Sequence, residues 1–313
     1  VLMSCLLFVM AGCSGHSKNL KFGAADIGGV YYSFASTFTQ LADKEIDGYT
    51  FETKTTAGSV ANLRLISDGY IDLAIVQADL LSDAYNATGT FADKKYQKGY
   101  KAVTSLYTEC CQIVVRKDSG ITGIDDLINK TVSVGASESG SEKNAEQILK
   151  MSGITDELIN KVNMDYTEAA EKLKAGEIDA FFCTAGTRTE VIGQLSKECD
   201  ICLISLDDKC IDKMLSAYSL CEKYTIPAGT YNGQDSDVTT IGVKAVLIAK
   251  QSLSDDVIKN VTKTIYEHAD DFKYATSLDI SFDINTAADG VDIPFHSGAA
   301  AYYTERGINV LTE

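Results

Sequence analysis

Residues 68–75, Asp68-Gly69-Tyr70-Ile71-Asp72-Leu73-Ala74-Ile75, and residues 175–182, Ala175-Gly176-Glu177-Ile178-Asp179-Ala180-Phe181-Phe182, share the frame Gly-x-Ile-Asp followed by apolar residues. Each copy follows a helical pattern, stops it at glycine, and enters a strand. The copies lie 107 residues apart. That spacing is far too long for a solenoid repeat and suits two analogous lobes. The run from Ile71 to Val76 is apolar almost throughout, as expected of a strand buried on both faces.

Outward from this pair, strand and helix signals alternate, which predicts α/β layers. Lys21–Ala25 reads as a strand running into a glycine turn and an amphipathic helix to about Asp43. Phe51–Thr55 reads as a second strand and Val60–Ser67 as a helix. In the second half, strands are expected at 111–115 and 131–134, with helices at 124–129, 139–151 and 169–175. Ser139 and Glu142 have the spacing of a capping box. After Tyr224 come a long strand over 237–249, a helix capped by Ser254 that runs to about Phe272, and a last helix opening at His296.

The chain has 313 residues, 45% hydrophobic composition and a net charge of −16. Its length suffices for two packed cores. The acidic balance argues against a nucleic-acid partner, since phosphate binding needs a basic face, and fits a monomer kept apart by self-repulsion. Leu6–Gly12 is a short apolar run, too short to span a bilayer, that ends in small residues before Cys13. It reads as a signal peptide, its basic segment expected upstream of Val1, with Met10-Ala11-Gly12-Cys13 resembling a bacterial lipobox. Cys13 is therefore the expected lipidation site, and Ser14–Asn19 a polar tether to the membrane surface. The plain alternative is an ordinary secretory signal cut nearby.

Seven cysteines remain after Cys5 and Cys13. Cys199-Asp200-Ile201-Cys202 has half-site spacing for zinc or redox chemistry, and Cys210 and Cys221 would complete four ligands. Cys202 lies in an apolar run that reads as a buried strand, so these thiols are read as small core hydrophobes and no metal or cofactor is expected. No Gly-x-Ser-x-Gly, His-Glu-x-x-His or phosphate-loop motif occurs. His16 lies in the tether, His268 in the polar part of a helix, and His296 at a helix start.

Three loops gather Gly, Ser and Thr where a strand hands over to a helix: 28–32, 55–59 and 137–142. Helix starts expose backbone N–H groups and the positive end of the dipole, so they hold anions without a cationic side chain. In open α/β sheets such loops fall at the strands' carboxyl ends, where ligands bind. Gln77 and Asp79 leave the buried strand at that edge, and Thr184–Thr187 leave its counterpart.

These motifs together resemble the TAXI family, the solute-binding subunits of TRAP transporters. The carriers are Gly28-Gly29-Val30-Tyr31-Tyr32, Thr56–Leu63, Asp72–Asp79, Ser139–Ala145, Asp179–Gly186, Thr225–Tyr231 and His296–Ala299. The resemblance covers residues 20 to about 303. It implies a type II periplasmic-binding-protein fold, two lobes with a hinge and a cleft between them, divided as 20–113 plus 225–313 and 114–224. It also implies sodium-coupled uptake of a small organic anion or acidic amino acid, resembling glutamate or 2-oxoglutarate, through TRAP membrane permease subunits. By position, the implied ligand contacts are Gly29, Tyr31, Ser59, Asn62, Gln77, Ser139, Gly140, Ser141, Glu142, Ala185 and Gly186, with Tyr32 and Asn144. Ser137-Glu138 departs from the family's usual Pro-Gly and would place an extra carboxylate beside the anion site. Ala24-Ala25-Asp26 is a second departure. The rival readings are an enzyme on the same fold, marked by Cys183 and a histidine in the pocket, and a surface adhesin, marked by an exposed apolar patch and a blocked cleft.

Overall fold

A computed structural model describes residues 17–92, 99–277 and 282–313. Cys13 and the first half of the expected tether, with His16, lie outside the described residues. The chain runs β1 (Lys18–Gly23), α1 (Val30–Glu45), β2 (Tyr49–Lys54), α2 (Ser59–Ser67), β3 (Leu73–Gln77), α3 (Ala78–Asn86) and β4 (Tyr100–Arg116). It continues through β5 (Thr131–Ser133), α4 (Gly140–Met151), β6 (Asn160–Val162), α5 (Tyr166–Ala175), β7 (Ala180–Ala185), α6 (Glu190–Glu198), β8 (Ile201–Leu203), α7 (Asp208–Ala217) and β9 (Cys221–Ile226). It closes with β10 (Val238–Lys250), α8 (Asp255–Glu267), α9 (Ala269–Thr276) and α10 (Ser297–Thr304).

The two Gly-x-Ile-Asp copies are the same device used twice. In the first half, β1, β2 and β3 are parallel in the order β2-β1-β3; in the second, β5, β6 and β7 are parallel in the order β6-β5-β7. Gly69 and Gly176 both take a left-handed backbone, φ 83° and 76°, which glycine adopts without a Cβ penalty as it ends a helix. The aspartate then pins the incoming strand. Asp72 donates its N–H to Lys21 O at 2.8 Å and accepts the Lys21 N–H on Oδ2 at 2.9 Å. Asp179 does the same with Thr131, at 2.8 Å each way.

Two antiparallel strands, β4 and β10, join the halves. β10 pairs with β3 on one side and β4 on the other, and β4 continues to β7. The residues of β4 through Tyr107 pack in the first core, whereas Cys111 and Ile113 pack in the second. Likewise Ile241 belongs to the second core and Val243 to the first. Both strands change core at one place, where Cys110 faces Gly242. β9 pairs with the start of β10, and Cys221 and Ile241 pack in the second core.

Three local expectations also change. The strand expected at 111–115 is only the end of a 17-residue strand. Residues Ile124–Leu127 form a short 3-10 turn rather than a full helix. The long helix from Ser254 divides at His268, whose side chain bonds Glu45 and Asp271. Ser254 occupies its cap position without a side-chain bond, whereas His296 does cap α10, its Nδ1 accepting the Gly298 N–H at 3.2 Å.

If each aspartate pins its strand as described, Asp179→Ala leaves the partly buried Thr131 amide without an acceptor and is expected to cost about 1–3 kcal/mol, read as a lowered urea midpoint at unchanged slope. Asp72→Ala, which frees the exposed Lys21 amide, is expected to cost less.

Candidate functional site between the lobes

The loops after β1, β2, β3, β5 and β7 meet at the carboxyl edge of both parallel units. They enclose a cavity of about 210 Å³. From the first lobe Gly29, Tyr31, Ser59 and Gln77 line it. From the second come Ser139, Gly140, Ser141 and Ala185. Three helix starts thus face one space. Neither α1 nor α2 has a side-chain cap on its first turn, so no cap side chain competes for their leading amides, although the Ala61 N–H of α2 is taken by Glu138 O. At α4, Ser139 Oγ accepts the Glu142 N–H at 3.0 Å.

The remaining expected contacts lie behind this lining. Asn62 is fully buried; its amide donates to Ala24 O at 2.6 Å and Ile75 O at 2.9 Å, and its Oδ1 accepts from Thr56 at 2.7 Å. It holds the ends of β1 and β3 against the loop that does line the cavity. Tyr32 packs against the first core. Glu142 accepts the Glu138 N–H at 3.0 Å and the Asn163 amide at 2.9 Å. Asn144 donates to Gln147 at 3.1 Å, and Gly186 O accepts the Thr189 hydroxyl at 2.6 Å. Each is held within its own lobe.

Several lining residues escaped the sequence reading. Glu109 of β4 is 2% exposed and takes the Tyr31 hydroxyl on Oε2 at 2.8 Å. Its signal was its isolation: it is the one charged residue between Lys101 and Arg116. Tyr166 bridges the second lobe's loops, its hydroxyl 2.6 Å from Ser141 Oγ and donating to Thr184 O at 3.0 Å. Asp26 and Asp165 complete the acidic lining. No Lys, Arg or His lines this cavity among the described residues, nor does Cys183.

Burial dominates the chemistry of these groups. It pushes the Glu109 carboxyl from its ordinary 4.5 up to about 8, despite offsetting bonds from Tyr31 and Gln77. It raises Asp26 as well, against the lowering effect of a backbone bond from Tyr166. Asp79, at the start of α3 behind the cavity, is lifted by burial to about 6.

Hydrogen bonds cross the cleft between the lobes. The Tyr166 N–H donates to Asp26 Oδ2 at 3.0 Å. The Ala61 N–H donates to Glu138 O at 3.1 Å. Arg64 grips the Glu138 carboxylate with two bonds, Nε to Oε1 at 3.0 Å and Nη2 to Oε2 at 2.6 Å. The carboxylate expected beside the anion site is therefore turned onto an arginine of the other lobe, and Glu138 takes a left-handed φ of 65°. The lobes also meet through Gly140: a Cβ there would sit 2.4 Å from the Gln77 side chain, so a larger residue at that point would hold them apart.

Two parallel units in 2-1-3 order, linked by a pair of crossing strands and closed on a cavity, define a type II periplasmic-binding-protein fold. Solved structures share it. A Xanthomonas citri protein bound to ATP is 11% identical, with 93% of this chain and 99% of its own covered at a TM-score of 0.54. PhnD1 from Prochlorococcus marinus, in complex with methylphosphonate, is 12% identical, with 93% and 91% covered at 0.54. An ancestral arginine-binding protein bound to arginine is 15% identical, with 83% and 98% covered at 0.51. The chain belongs to the NMT1-like family, whose sequence profile matches residues 22–307.

Both partners of the Arg64–Glu138 pair are about two-fifths exposed, so its weight in global stability is small, under about 1 kcal/mol. Its effect on closure is larger because it spans the cleft. Arg64→Ala is expected to leave the melting temperature nearly unchanged and to raise the radius of gyration of the unliganded protein in small-angle X-ray scattering. An unchanged radius would show that the pair does not hold the lobes together.

Proposed function

We propose that this protein is the extracytoplasmic solute-binding subunit of a TRAP transporter of the TAXI type. In this reading it is tethered to the membrane by lipid on Cys13, encloses a small organic acid between its lobes, and passes it to the permease subunits. The observation that carries the reading is the convergence of three helix starts, from both lobes, on one cavity that no cationic side chain lines among the described residues. Backbone amides and helix dipoles then attract the ligand's carboxylate locally, even in a chain of net charge −16. The family match and the shared fold support solute binding. The ordered motifs quoted above support the TAXI type. The cavity, near 210 Å³, is smaller than the pockets of drug-sized ligands, which favours a solute the size of glutamate or 2-oxoglutarate. Ligand affinity would favour the closed arrangement of the lobes over an open one.

Isothermal titration of the mature chain against acidic amino acids, neutral amino acids and oxo-acids tests this reading. A micromolar or tighter response to at least one of them is expected. Ser59 lines the cavity and accepts the Gln77 N–H on its Oγ at 3.0 Å. Ser59→Ala is expected to weaken binding about 10-fold, the cost of roughly one hydrogen bond. Silence across the panel would remove the small-acid reading.

The anchor is tested separately. Wild-type protein in cells fed radiolabelled fatty acid is expected to carry label and to sediment with membranes, and Cys13→Ala to do neither. A labelled, membrane-bound Cys13→Ala protein would place the anchor elsewhere.

A further inference from the structure

Glu109 stands where the two lobes meet. It faces Val243 across the β4–β10 ladder, one residue before the Cys110–Gly242 pair at which both strands change core. Its carboxyl lies on the cavity wall with Tyr31 bound to Oε2. Beside it, Gln77 is 1% exposed and lines the same wall, and its Oε1 is buried without a hydrogen-bond donor. The cavity therefore offers side-chain acceptors, at Glu109 and Gln77, as well as the helix starts that supply N–H donors. A simple anion satisfies only the donors. An ammonium group brings three N–H donors and a full positive charge, and so matches the acceptors.

Resting on the solute-binding reading above, we infer that Glu109 is the specificity-determining residue of the cavity, selecting ligands that carry an ammonium group beside their carboxylate over acids of the same size that lack it. The carboxyl is held neutral at pH 7 by its burial. The titratable groups that face it are Tyr31 of α1, Tyr107 and Cys110 of its own strand, Tyr166 of α5, Cys183 of β7 and Asp79 of α3. Burial raises all of these too, and Asp79 alone is an anion at pH 7. When an ammonium docks, the Glu109 O–H bond breaks, the proton passes to solvent, and a carboxylate–ammonium pair remains. With the carboxyl at about 8, roughly 0.9 proton is released per ligand bound at pH 7. A ligand that instead placed a second carboxylate here would hold Glu109 protonated and take protons up.

The test is isothermal titration of the mature chain at pH 7 in two buffers of different ionisation enthalpy. The probes are matched pairs: L-glutamate with 2-oxoglutarate, L-alanine with pyruvate, and L-leucine with 4-methyl-2-oxopentanoate. The expected result is that, in whichever pair binds, the amino acid binds at least 10-fold tighter than its oxo-acid and releases close to one proton. Glu109→Gln, which keeps the shape and an acceptor for Tyr31, is expected to erase both the preference and the release. Equal binding of the two members, or proton uptake by the wild-type protein, overturns the inference without need of the variant. Binding of the oxo-acids alone does so while leaving the small-acid reading standing, and no binding by any probe rejects both.

Discussion

The pairing of β4 with β10 is the constraint on which the rest of the molecule depends. These two antiparallel strands are the long elements of the sheet, 17 and 13 residues, and they carry the chain between cores. Each buries one end among first-lobe side chains and the other among second-lobe side chains. Their crossing at Cys110 and Gly242 is where the sheet passes from one parallel unit to the next. The backbone ladder is continuous there, so the lobes are joined by hydrogen bonds as well as by chain. Glu109 sits beside that crossing. A charged residue type in the middle of a fully hydrogen-bonded, buried strand carries a desolvation penalty, and that burial keeps Glu109 neutral against the opposing effect of the Tyr31 and Gln77 hydrogen bonds.

From this geometry follows the polarity of the cavity. One wall is made of helix starts, which concentrate N–H groups and partial positive charge. Beside them the lining also holds Glu109, the unpartnered Gln77 carbonyl, Asp26 and Asp165. The strong overall negative charge of the chain therefore says little about what the cavity attracts, because low-dielectric surroundings make the nearest dipoles outweigh distant screened charges. Closure of the lobes uses Arg64 with Glu138, which stand outside the lining, and Asp26 with the Tyr166 amide, which belong to it.

Much of the secondary structure could be read from local pattern. The strands over 51–55, 71–76 and 237–249 and the helices over 30–43 and 60–67 are displaced by only a few residues. The errors have physical causes. The first part of β4 alternates large and small, polar and apolar residues without a turn signal, so its length was not evident. At 124–127 a bonding pattern between Asp126 and the amides of Thr122 and Gly123 favours a tight turn over a helix. The division at His268 arises from its bonds to Glu45 on α1 and Asp271, the first of which is a contact 223 residues away in sequence.

The sequence by itself determined the two parallel units and which loops lie at their carboxyl edge. The repeated Gly-x-Ile-Asp frame, the apolar strand that follows, and the Gly/Ser helix starts are local signals, written within a few neighbouring residues. Only the tertiary structure decided which side chains turn into the cavity. Asn62 and Glu142 belong to motifs that suggested contact, yet their hydrogen bonds run to the backbone and side chains behind the lining. Glu138 points across the cleft to Arg64, and Glu109 and Tyr166 enter the site from segments that carried no motif. Side-chain direction along a strand depends on register, and contacts across a cleft depend on how two lobes meet. Both are set by partners distant in the chain, and no short stretch of sequence contains them.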